Sequence, residues 1–252
     1  MNRQAQAAVL FLLGAALLHA GFTDLYLRYV KAGLRPMLLA SGVVLVAAAV
    51  ATVWYEWRAK KGEQGEQGQC GDQGEQGEGG GHAHREPRVS WLLVLPLLAL
   101  ILVAPPALGS YSALRTGTAL QQPYGYAALP ADGPLRLSLV DYAGRAAYDH
   151  GRSLGDRQVK VTGFVALDGT GTPYLVRMAL NCCAADAQPV KVGLTGRIPP
   201  VLQPDAWLEV TGTYTAKRTR DAVNGGPIPY IEVSGAVPVK APKDPYDETW
   251  NN

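Results

Sequence analysis

Three long apolar stretches occupy the first 110 positions of the chain, and short alternating stretches follow them. From Ala7 to Phe22 no residue is charged, and apolar character continues through Leu25 and Leu27. A second charge-free run extends from Met37 to Tyr55, and a third spans Val89 to Leu108 with Pro105 and Pro106 near its end. Each approaches the roughly 20 residues that a helix needs to cross a hydrocarbon core of about 30 Å. Trp54, Tyr55 and Trp57 close the second run and Trp91 opens the third, as an aromatic belt at one interface requires. The pattern predicts two transmembrane helices within residues 1–58 and a third at 89–109. A secretory signal peptide is the weaker reading of the first run, because Leu18-His19-Ala20 is a poor small-x-small cleavage site.

After Tyr111 the period changes from that of a helix to two. Val159, Val161 and Val165 alternate with Lys160, Thr162 and Phe164; Leu208, Val210 and Tyr214 alternate with Glu209, Thr211 and Thr213. Ile231, Val233, Val237 and Val239 repeat the pattern, and Tyr174 to Leu180 and Val190 to Leu194 are shorter candidates. These are signatures of half-buried strands. Three strands carry one local unit: Val-Thr-Gly at 161–163 and 210–212, and Val-Ser-Gly at 233–235. Glycine inside a strand marks a bulge or a sharp bend. Five short bent strands suit a small β-barrel of the OB-like kind, and Asp141 to Gly151 is expected to form a short helix ahead of it. The fold class is therefore an α-helical transmembrane region of three helices plus an all-β, OB-like domain over residues 110–252.

Composition changes this picture little. Charged residues make up 17 % of the 252 positions, against roughly 25 % in soluble domains, and the deficit lies in the apolar half. Net charge is +2 without a long basic block, so no nucleic-acid partner is implied. Basic residues near the spans do carry information. Arg3, Arg58, Lys60, Lys61, Arg85 and Arg88 fall on one side of the expected bilayer, and Arg28, Lys31, Arg35 and Arg115 on the other. The excess places the N-terminus inside and the C-terminal domain outside the plasma membrane of the cell. His19, Asp24 and Arg28 lie in or at the end of the first helix, where Asp24 and Arg28 are spaced to pair with each other.

Residues 59–88 read as a flexible tether. Glycine recurs every third residue from Gly62 to Gly77, without the proline of a collagen repeat. Cys70 lies within it, and His82 and His84 follow a glycine triplet; a His-x-His pair is a weak divalent-metal ligand set.

The informative motif of the β-domain is Asn181-Cys182-Cys183-Ala184-Ala185-Asp186-Ala187, directly after an expected strand. Adjacent α-carbons are about 3.8 Å apart, shorter than the usual disulfide span. The two cysteines are therefore expected not to bridge each other. A helical turn here would bring Asp186 beside both thiols, as i, i+3 and i+4 neighbours converge. Two thiolates and a carboxylate suit Zn²⁺, and two thiolates suit Cu(I). His150 is the one histidine of the domain and hence its candidate fourth ligand. The other reading is a tight packing junction of small cysteines, with Asp186 bracing the turn. Elsewhere the sequence holds no GxSxG, no HExxH and no phosphate-binding loop, so the protein is expected not to be an enzyme.

The order of helices, tether and β-domain, with the Cys-Cys-Ala-Ala-Asp-Ala stretch at 182–187 and Pro189 shortly after it, resembles the bacterial YcgQ-like family of permease subunits. The resemblance implies a polytopic permease as partner. It supplies no established substrate and no catalytic residue. Two functions stand open on this reading. One is a permease accessory subunit whose outward domain binds or gates cargo, and the other is a metal-handling membrane protein that uses Cys182, Cys183 and Asp186 for Zn²⁺ or Cu(I) without any permease.

Overall fold

The computed structural model describes residues 3–66, 95, 98, 99, 102, 103, 106–131 and 133–246. They fall into two units, one within residues 1–23 and 35–105, the other within 24–34 and 106–252.

The first unit contains helices α1 (Arg3–Phe22) and α2 (Arg35–Glu66). Both are long and apolar enough to cross a membrane, and only 22 % and 11 % of their most apolar windows are buried within the protein. Glycines let the two helices approach closely. A Cβ on Gly14 would strike Val46 and the Gly42 carbonyl, and one on Gly42 would strike Leu18. Small residues at such a seam replace the hydrophobic driving force that lipid cannot supply. Trp54, Tyr55 and Trp57 stay exposed near the end of the apolar run, and the Arg58 guanidinium lies 3.8 Å over the Trp54 ring. α2 continues to Glu66, so the first residues of the expected tether are helical. Most of the third expected span lies outside the described residues, and Cys70, His82 and His84 lie outside them altogether.

α1 ends at Phe22, where the Thr23 hydroxyl donates to the His19 carbonyl at 2.9 Å and caps the last turn. This corrects the expectation that the first helix runs on through Asp24 and Arg28. Asp24–Arg28 instead forms a 3-10 turn that belongs to the second unit, with Tyr26 and Leu27 buried. Asp24 pairs at 3.3 Å with Lys243 rather than with Arg28.

The second unit is built on a five-stranded barrel. Its strands are β2 (Val159–Leu167), β3 (Pro173–Ala179), β4 (Gln188–Gly196), β5 (Trp207–Arg220) and β6 (Pro227–Pro238). A two-residue strand β1 (Leu135–Arg136) runs parallel to the start of β2. The order β2-β3-β4-β6-β5 returns to β2 through an antiparallel β2–β5 pairing, and β4 and β6 pair in parallel. Closure demands tight backbone approaches. Gly163 on β2 has no room for a Cβ against the Val176 carbonyl, and Gly212 sits at a register shift against the Glu232 carbonyl. At Gly235, by contrast, a Cβ would meet nothing.

The interior is filled by alternate residues such as Val159, Val161, Val192, Val210 and Ile231. Helix α4 (Leu139–Tyr148), which follows a short helix α3 (Ser110–Arg115), packs Leu139, Tyr142, Ala143 and Ala146 into the same core. Ser138 caps α4 by accepting from the Asp141 amide at 3.0 Å. The Tyr142 hydroxyl donates to the Tyr230 carbonyl at 2.8 Å, which fixes the helix to β6. A second, smaller core joins Ala113 of α3 and Tyr246 to Phe164, Val176 and Met178. Beside it, Lys191 on β4 and Asp221 in the β5–β6 turn form a buried ion pair at 2.7 Å. The same carboxylate accepts from the Thr118 amide at 3.0 Å and the lysine donates to the Thr116 carbonyl at 2.9 Å.

Candidate functional site

The β3–β4 connection carries the Cys-Cys motif. β3 ends at Ala179, Leu180 is buried, and Asn181 and Cys182 emerge exposed, with Cys183 half-buried. Cys183 is extended (φ −151°, ψ 170°) and opens a 3-10 turn over Ala184–Asp186. The Asp186 amide donates back to the Cys183 carbonyl at 3.0 Å. The turn closes because the Asp186 carboxylate takes two backbone donors, the Asn181 amide at 3.1 Å and the Cys182 amide at 2.8 Å. Asp186 thus reaches Cys182 by folding back onto its amide, not through a helix that includes Cys182.

The result is that Sγ of Cys182, Sγ of Cys183 and a carboxylate oxygen of Asp186 all lie within 4.8 Å of one another. Both cysteines are free thiols. The Cys182 thiol hydrogen-bonds to Asp186, which together with the neighbouring Cys183 thiol and slight desolvation pushes its pKa up to about 11. On Asp186, desolvation pulls the pKa upward. Hydrogen bonds from the Cys182 thiol and from the Cys182 and Asn181 amides outweigh it and hold the carboxyl below its usual range. Without a ligand the site is therefore one carboxylate and at least one protonated thiol. A thiophilic cation would displace the thiol protons and find two sulfurs and one oxygen in place.

His150 is not in this group. It sits after α4 in a left-handed conformation (φ 53°) with its side chain exposed, so the fourth ligand expected from the sequence is not brought to the thiols.

A segment that the motif alone does not announce lies against this turn. Val30 forms an antiparallel β-bridge with Cys183. The Ala184 amide donates to the Tyr29 carbonyl at 2.7 Å, and the Lys31 amide donates to the Cys182 carbonyl at 3.1 Å. Tyr29 and Val30 are strand-favouring residues between two helical stretches, the one local signal that this loop pairs with a sheet.

No curated protein and no solved structure matches the chain. Residues 143–247, from within α4 through the barrel and the Cys-Cys turn, match the family described as the DUF1980 C-terminal domain.

Proposed function

We propose that the protein is a non-enzymatic accessory subunit that holds a thiophilic metal ion, Zn²⁺ or Cu(I), and passes it to a polytopic membrane permease. The observation that carries this reading is the convergence of two thiols and a carboxylate within 4.8 Å on a turn open to solvent. Zinc bonds to sulfur at about 2.3 Å and to carboxylate oxygen at about 2.0–2.2 Å, normally with four ligands. Three protein ligands leave one position for water or an acceptor, which favours transfer over structural retention. The permease partner rests on the resemblance to permease subunits.

On this reading the β-domain is an OB-like barrel, supported by the closed circuit β2-β3-β4-β6-β5 with a parallel β4–β6 pair. It faces the outside of the cell. Tyr29–Lys31 pairs with Cys182–Ala184, so the loop after α1 shares the β-domain's side of the bilayer. The chain between Glu66 and Pro106 then returns across the bilayer, a role that fits the Val89–Leu108 run. An impermeant thiol reagent on intact cells should spare Cys70 and label a cysteine placed at Asn252; the opposite pattern would reverse the orientation.

The metal itself is tested by titrating the full chain in detergent with Zn²⁺ and with Cu(I) against a competing chromophoric chelator. Stoichiometric binding tighter than about micromolar, released by acid, is expected. Absence of binding to both ions would leave the turn as a packing junction.

A further inference from the structure

The ligand atoms of the Cys-Cys turn lie within 4.8 Å of one another, close enough for one ion to bond all three. Around a tetrahedral Zn²⁺ with the bond lengths above, ligand atoms stand about 3.5–3.8 Å apart. An ion that bonds all three fixes these separations and restrains the side chains that set them. Cysteine has a single side-chain torsion with three staggered wells, so its sulfur moves in jumps rather than by small adjustments. Holding both sulfurs on one ion therefore also restrains the backbone from Cys182 to Ala184.

That backbone is the strand bonded to the loop between α1 and α2. The Cys182 carbonyl accepts from the Lys31 amide and the Ala184 amide donates to the Tyr29 carbonyl, one bond on each side of the Val30–Cys183 bridge. We propose that the Tyr29–Lys31 segment reads the metal occupancy of the Cys-Cys turn: an ion clamps the turn, and the clamped turn holds the bridge to the interhelical loop. This rests on the metal reading above and adds its regulation. The coupling is reciprocal, so whatever frees the loop also weakens the hold on the ion. A partner that pulls on the loop would thereby release cargo, with no change in the ligands themselves.

Hydrogen exchange on the full chain in detergent, with and without Zn²⁺, is the direct test. Peptides covering 26–34 and 181–187 should exchange more slowly when Zn²⁺ is present, and Cys182→Ser should abolish the change in both. Lys31→Pro removes the donor to the Cys182 carbonyl and should weaken Zn²⁺ binding about tenfold, within the usual range of allosteric coupling. Lys31→Ala keeps the backbone amide and should bind as wild type. Slowed exchange in both peptides with the proline-specific loss supports the coupling. Zn²⁺ binding with unchanged exchange in 26–34 overturns the coupling and leaves the metal site standing. Failure of the wild type to bind Zn²⁺ or Cu(I) overturns both.

Discussion

Two connections of the barrel use the same device and differ in what it leaves behind. In the β2–β3 turn, Asp168 accepts from the Thr170 and Thr172 amides at 2.8 and 2.9 Å and from the Thr170 hydroxyl at 2.7 Å. In the β3–β4 turn, Asp186 accepts from the Asn181 and Cys182 amides. Each carboxylate replaces the backbone partner that a tight turn lacks. Around Asp168 the remaining neighbours are hydroxyls, hard donors that compete poorly with water for a soft ion. Around Asp186 they are two thiols. On the proposed reading the same local solution is inert in one turn and a ligand set in the other, and the difference lies in side-chain softness rather than in turn geometry.

The β5–β6 turn sharpens the comparison, because its aspartate is buried. Asp221 accepts from the Val223 amide at 2.8 Å and faces Lys191 at 2.7 Å, with both side chains almost fully out of water. Removing it leaves a buried ammonium without its counter-charge, so Asp221→Ala should cost about 3–5 kcal/mol of unfolding free energy, measured by denaturant titration. Desolvation raises the Asp221 pKa, but the Lys191 ammonium and two amides outweigh it and keep the group ionised below the usual range. With a depressed folded pKa, its contribution is complete above about pH 4, the unfolded value. It fades as pH falls through the folded one. Thermal melts of the wild type should drop on acidification in that window, and those of Asp221→Ala should drop less.

Metal affinity separates the other two turns. Cys182→Ser or Cys183→Ser should lower Zn²⁺ affinity by more than about a hundredfold, since losing even a group that only orients a ligand costs ten- to a hundredfold. Asp168→Ala should leave it unchanged, and an equal loss there would mean that the ion is held elsewhere. Affinity for Zn²⁺ should also rise by at least about tenfold per pH unit between pH 6 and 8, because the Cys182 thiol, pushed up to about 11, must give up its proton. A flat pH profile would exclude a thiolate ligand. The smallest effect is on stability. Asp168→Ala and Asp186→Ala should each cost about 1 kcal/mol, the usual loss when a capping carboxylate is removed, read from the denaturation midpoint without metal.

The barrel was legible because each strand writes its own pattern. Val159, Val161 and Val165 lie inside as their alternation requires, and α4 begins at Leu139, close to the expected Asp141, behind a serine cap. What escaped the sequence is what buries a residue. Leu25 and Leu27 extend the first apolar run, yet the helix stops at Phe22 and Leu27 is buried in the β unit. Hydropathy measures removal from water and is silent on whether lipid or protein does the removing. Charge misleads in the same way. Lys191 and Arg177 look like surface cations, but both are buried, one against Asp221 and the other with its guanidinium 5.0 Å over the Trp207 ring. Convergence of Cys182, Cys183 and Asp186 was readable from spacing. Its route, a carboxylate folding back onto two amides, was not, because a 3-10 turn and an α-turn share that spacing.

The Val30–Cys183 bridge also sets a timetable. Its two strands are about 150 residues apart in the chain. At the usual 5–20 residues per second of synthesis, the loop waits roughly 8 to 30 s for its partner to be made. Over that interval the Tyr29 carbonyl and the Lys31 amide lack the Ala184 amide and the Cys182 carbonyl that they later meet, and open edges invite other strands. The newborn protein is therefore open to wrong pairing at the segment that later braces the Cys-Cys turn.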